Sequence, residues 1–196
     1  MDKRMIENAR VKKNVEEALF SLLRTKSFSE ITATDIIRTA GIARSSYYRN
    51  FASKEDIIAS YMERQRLEVA NEISFCESAD DFFNREKLVK SLEHFLMQKY
   101  YFLLLYDNGF GAYLQESENR FAEIYLGDMP CNSPERYKIY FMSGALFNMT
   151  MKWLRDGAKE SPHEMANIFL KLLDQSIYAK LDDASASSKK TGRFSG

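Results

Sequence analysis

Apolar residues recur at i, i+3, i+4 and i+7 along most of the chain, the spacing that gathers them on one face of an α-helix. The pattern predicts an all-α protein. Ile6, Val11, Val15, Ala18, Leu19, Leu22 and Leu23 form one stripe and predict a first helix from Lys3 to Thr25. "SFSEIT" breaks it. Thr32 followed by Asp35 has the form of a capping box for a short helix, "ATDIIRTA", which Gly41 ends by adopting a left-handed backbone. A second short helix follows at once, and Ser53 with Asp56 caps a long one beginning "KEDIIASYMERQ". The next helix is predicted from Arg85 to Tyr106 and ends at "DNGFG". Residues 112–134 read as a less regular section with one or two short helices around a loop. Two further helices are predicted at 134–156, ending at Gly157, and at 162–180, opened by Ser161 and Pro162. The small, polar, aperiodic stretch 182–196 predicts a flexible tail.

Two short helices joined by a tight glycine turn are the arrangement of a helix-turn-helix. Ile36, Ala40, Ile42, Tyr47 and Phe51 fall where the first three helices must pack together, which leaves Arg44, Ser45, Ser46, Tyr48 and Arg49 facing outward. A helix fits the major groove of B-DNA, where arginine takes guanine bidentately and serine pairs with several base edges. Tyrosine and serine hydroxyls reach phosphates and fix the register. Thr32 and Thr34, at the start of the second helix, predict a phosphate site, and Lys54 opens the fourth helix on the same side. The organisation expected is therefore an N-terminal three-helix helix-turn-helix domain, residues 1–52, a larger helical bundle, residues 53–181, and the tail.

Charge sharpens this division. The 196 residues carry a formal net charge of zero, but residues 1–66 hold thirteen Lys and Arg against nine Asp and Glu. The basic excess lies on the part expected to meet a polyanion. The two cysteines, Cys76 and Cys131, have neither metal-ligand nor disulfide-framework spacing. The N-terminus lacks the apolar run of a signal peptide, and "YYFLLLY" at 100–106 is far too short to span a bilayer, so a cytoplasmic protein is expected.

The segment "ITATDIIRTAGIARSSYYRNFASKEDII" resembles the DNA-binding domain of the TetR family of bacterial transcriptional regulators, through its turn glycine, its Tyr-x-x-Phe and the Ser-Lys-Glu that follows. It departs from the family pattern at Ala43, where a helix-capping serine is usual, and at Ser45, where glycine is common. The resemblance implies a two-fold symmetric dimer whose recognition helices enter successive major grooves of a near-palindromic operator. It implies a dimer surface built from the last two helices, here with Tyr137, Phe141, Ala145, Phe147, Met149, Ile168, Leu172 and Ile177 on their apolar faces. It also implies release of a repressor by a small ligand held in the body. "MKWLRDGAKESPHEMANIFLKLL" resembles a subgroup that includes regulators of dihydroxyacetone kinase operons, and through it the alternative reading is a coregulator acting mainly by protein–protein contacts.

Phe, Tyr and Met are dense between His94 and Trp153, a composition suited to an adaptable apolar pocket with hydroxyls to orient a ligand. His94, Gln98, Tyr101, Tyr113, Asn148 and Trp153 are the candidate effector contacts. His94 and His163 have no ligand-spaced partners, and "GFG" at 109–111 lacks the rest of a phosphate-loop pattern. No metal, cofactor or catalytic constellation is expected, and the chain does not read as an enzyme.

Overall fold

The computed structural model describes residues 3–73, 84–125 and 136–174, and every regular element among them is helical. Helix α1 spans Lys3–Leu23, a single 3₁₀ turn spans Phe28–Glu30, and α2 (Ala33–Ala40) and α3 (Arg44–Asn50) complete the N-terminal part. Helix α4 (Glu55–Ile73) leads into a body made of α5 (Arg85–Met97), α6 (Lys99–Leu105), α7 (Gly111–Tyr125), α8 (Arg136–Arg155) and α9 (Pro162–Asp174). The predicted tail, the last helix beyond 174 with Ile177, Cys76 and Cys131 lie outside the described residues.

The local punctuation is chemical. Asp35 N donates to Thr32 Oγ1 at 3.1 Å while Thr32 N donates to Asp35 Oδ2 at 3.1 Å, a reciprocal cap that starts α2. Gly41 ends α2 at φ +63°, the left-handed conformation that favours glycine. Ser53 with Asp56 and Ser161 with Glu164 repeat the reciprocal bonding ahead of α4 and α9.

Packing corrects several expectations. The buried stripe of α1 begins at Val11, a turn later than predicted, and Ile6 is exposed because the core cluster does not reach it. Phe20, outside the predicted stripe, is buried with its ring 4.8 Å from Tyr61 and 4.7 Å from Tyr101. The single helix predicted over 85–106 breaks at Gln98 (φ −93°, ψ 9°). The break sets the Tyr101 ring on Phe20 and the Phe102 ring on Phe95, each 4.7 Å away. "DNGFG" does not end the helical path. Tyr106–Phe110 forms one widened π turn with Gly109 at φ +89°, and Gly111 opens α7, a continuous 15-residue helix where an irregular section was expected.

Both parts share one apolar core. Ile31, Ile36, Tyr47 and Phe51 close the N-terminal three-helix unit beneath α1 and continue through Ile57, Ile58 and Tyr61 of α4 to Leu88, Phe102, Leu154 and Phe169. Helix α1 packs on α2, α3 and α4, α4 packs on α5 and α7, and α9 covers α5. That continuity puts α4 in contact with both the reading unit and the body.

Candidate nucleic-acid interface and effector cavity

Helix α3 starts without a side-chain cap because Ala43 occupies the capping position, so packing rather than local hydrogen bonding sets its pose. Tyr47 is the anchor, buried against Tyr48 and Phe51. Around it Arg44, Ser45, Tyr48 and Arg49 are exposed and Ser46 is half-buried, so the five predicted reading residues share one solvent-facing side. The Arg44 guanidinium lies 5.4 Å from the centre of the Tyr48 ring, a cation–π contact across one helical turn. Arg49 Nη2 donates to Ser46 Oγ at 3.2 Å. The face thus presents two fixed-charge forks and three hydroxyls, the donors and acceptors suited to base edges and phosphates.

Thr32 and Thr34 are both exposed at the start of α2. The Thr32 hydroxyl is engaged in the cap, donating to Asp35 Oδ2 at 2.8 Å, which leaves Thr34 as the more available hydroxyl. These bonds from Thr32 hold the Asp35 carboxyl below its ordinary pKa, helped by Lys26 at 3.7 Å and Arg38 at 2.9 Å. Lys54, expected to meet a phosphate, is engaged within the protein. Its Nζ donates to the carbonyl oxygens of Phe28 at 2.6 Å, Ile31 at 3.0 Å and Ser29 at 3.4 Å, and lies 4.4 Å from the centre of the Phe28 ring. An ammonium has three N–H donors, and all three are used. Lys54 is a strut between the start of α4 and the Phe28–Glu30 turn.

The six predicted effector contacts do not converge. Gln98, Tyr101 and Tyr113 line an open groove of about 1130 Å³ between α1, α4 and the α6–α7 elbow. His94 is buried beside a separate, smaller cavity. Asn148 is exposed on α8, on the side that carries Tyr137 and Phe141, and so faces away from both spaces. Trp153 is a core residue whose Nε1 donates to Glu160 O at 3.0 Å, pinning the turn before α9. Phe147, predicted on the partner-facing surface, is also buried in the subunit's own core.

Two polar features escaped the sequence pattern. Glu16 of α1, only 4% exposed, accepts from Arg64 Nη2 at 2.6 Å and Ser60 Oγ at 3.4 Å, bracing α1 against α4 along the groove. Burial raises the pKa of the Glu16 carboxyl even against the opposing pull of Arg64. The second feature is the cavity beside His94, about 30 Å³, where Gln65 and Glu118 meet a wall of phenylalanines. Burial pushes the Glu118 carboxyl up to about 7, with Arg66 pulling the other way. Both Glu16 and Gln65 sit among charged neighbours in the sequence, and only the packing of distant helices reveals their burial.

The comparisons agree with this architecture. A family model described as "Bacterial regulatory proteins, tetR family" matches residues 17–61, and one described as "Transcriptional regulator C-terminal region" matches residues 85–175. The uncharacterised HTH-type transcriptional regulator YxbF of Bacillus subtilis (strain 168) is 22% identical over 191 residues, covering 91% of this chain. The chain spans about half, 47%, of that relative's length. A TetR transcriptional regulator from Streptococcus agalactiae 2603V shares the fold at a TM-score of 0.61 and 22% identity, over 86% of this chain and 96% of its own. The dihydroxyacetone kinase operon activator DhaS shares it at 0.56 and 17% identity, over 86% of this chain and 97% of its own, a likeness of fold alone. No helix among the described residues is long and apolar enough to cross a membrane, and no three of their His, Cys, Asp or Glu groups gather as a metal site. With a tetR-family match over the helix-turn-helix, a transcriptional-regulator match over the body and this fold, the chain belongs to the TetR family of transcriptional regulators.

Proposed function

We propose that the protein is a homodimeric DNA-binding repressor, working in the cytoplasm and released from a near-palindromic operator by a small ligand. The observation that carries the reading is the outward polar face of α3 on a closed apolar base. Arg44, Ser45, Ser46, Tyr48 and Arg49 are presented together because Tyr47 and Phe51 lock the helix from behind. In this reading Arg44 and Arg49 meet base edges, Tyr48 and the serines meet edges or phosphates, and Thr32 and Thr34 position the start of α2 on the backbone. Lys54 takes no part in the contact. A second copy docks through α8 and α9, where Tyr137, Phe141, Ile168 and Leu172 are exposed apolar side chains separated by single helical turns on each helix.

Selection of bound sequences from a random DNA pool by the purified protein, at near-physiological salt, tests this. The expected product is an inverted repeat with half-sites about one helical turn apart or somewhat more, bound with an affinity that falls steeply as salt releases phosphate counterions. Absence of any enriched sequence from a folded dimer would overturn the reading.

A further inference from the structure

The cavity beside Gln65 has a chemistry of its own. It lies between α4, α5, α6 and α7, and Gln65 is 2% exposed there with neither Oε1 nor Nε2 hydrogen-bonded within the protein. Burying a primary amide without partners costs free energy, and a leucine of similar size would fill the same space without that cost. Packing therefore does not account for this side chain. Ser91 and Ser117 add hydroxyls to the same wall and Glu118 adds a carboxyl, whereas Phe95, Phe102 and Phe121 supply flat apolar surface.

We infer that this cavity receives the polar edge of the effector, and that the effector is a small, planar, uncharged molecule of the lactam or nitrogen-heterocycle class. The inference rests on the reading of the protein as a ligand-released repressor. A glutamine amide displays an acceptor beside a donor in one plane, and its complement is a ligand edge with a donor beside an acceptor, the geometry by which glutamine pairs bidentately with adenine. Three phenylalanine rings suit a planar ring, and Met62 on the same wall can adjust to its outline. Arg66 and Glu118 line the space with opposite charges that offset one another, so no net charge is asked of the ligand and a neutral one fits. With a pKa raised to about 7, the Glu118 carboxyl keeps its proton in part at neutral pH and so can donate as well as accept.

The present volume of about 30 Å³ holds about two water molecules, so a ring enters only if the surrounding helices part. A ligand that binds the opened arrangement better than the closed one shifts the population toward it. Gln65 is adjacent to Arg64, which holds Glu16 of α1, so movement of this part of α4 reaches the reading unit directly.

The full-length protein is titrated by calorimetry and thermal melting with uracil, adenine, nicotinamide and 2-pyrrolidinone, and with benzoate as an anion of similar size. At least one of the four neutral compounds is expected to bind with a Kd below about 1 mM and raise the melting temperature, and benzoate to do neither. Gln65→Leu is expected to melt higher than the parent without ligand and to bind the same compound at least tenfold more weakly. Binding by none of the four, or binding unaffected in Gln65→Leu, overturns the inference. These titrations contain no DNA, so they fail independently of the repressor reading. An operator released by a ligand indifferent to Gln65→Leu leaves that reading standing and removes this cavity from it. A neutral compound that binds at Gln65 but leaves the operator occupied also overturns its assignment as effector.

Discussion

The reading unit and the body place their polar side chains in opposite senses. In the reading unit the polar groups are turned out or tied into caps: Arg44, Ser45, Tyr48 and Arg49 face solvent, and Thr32 and Asp35 satisfy the start of α2. Its exceptions among the described residues include Glu16, buried but held by Arg64, and Tyr47, whose hydroxyl is buried without a hydrogen-bond partner while the ring anchors α3. In the body, Gln65, Glu118 and His94 are turned inward around a cavity, and Thr150 is buried with its hydroxyl unbonded. Orphaned buried polar groups lower stability, whereas exposed ones cost little. On the readings proposed above, the difference teaches that each unit carries its unsatisfied groups where its partner would meet them, on the surface for DNA and inside for a ligand.

The sharpest way to break this contrast is to remove the base that presents the reading face. Phe51→Ala should cost about 3–5 kcal/mol and melt the N-terminal unit, as measured by thermal denaturation, because it opens a cavity under α3. Lys54→Met should cost about 2 kcal/mol by the same measurement, since the carbonyls of Phe28, Ser29 and Ile31 lose a charged donor. A Lys54→Met variant with parental stability and weakened DNA binding would return this residue to the DNA contact. Arg44→Ala should shift stability by no more than about 0.5 kcal/mol while costing about 1–3 kcal/mol in specific operator affinity. Equal thermal losses in Arg44→Ala and Phe51→Ala would contradict the assignment of inner and outer faces.

The smallest effect concerns Glu118 and distinguishes the body. Its carboxyl, raised from 4.5 to about 7, binds a proton more tightly in the native state than in the unfolded chain. The stability it contributes is therefore complete below pH 4.5 and is lost as pH rises through about 7. Glu118→Gln should flatten the fall in melting temperature across that window, and an unchanged pH profile would show that the carboxyl is not buried with its proton.

Legibility in the sequence followed the range of the interactions. The caps at Thr32 and Ser161 and the left-handed Gly41 are made within four residues, and each was readable from spacing alone. The register of Ile36, Tyr47 and Phe51 was readable for the same reason, since apolar periodicity reports which face of a helix is buried. The break at Gln98 was not, because its result is the seating of Tyr101 on Phe20, 81 positions earlier in the chain. The hold of Lys54 on the Phe28–Glu30 turn was not readable because the carbonyls it meets lie 23 to 26 residues before it. Gln65 gave no signal at all, for a glutamine between two arginines looks the same whether its helix faces water or a cavity.

The struts described at Lys54 and at Glu16–Arg64 bear on how this molecule could be recombined. A chimera that takes residues 1–52 as a transferable cassette would leave the Phe28–Glu30 turn without Lys54 and Glu16 without the Arg64 guanidinium that holds it. The cut belongs beyond Arg66, after both struts and Tyr61 have been included, and a graft made there carries its own foundation into the new host.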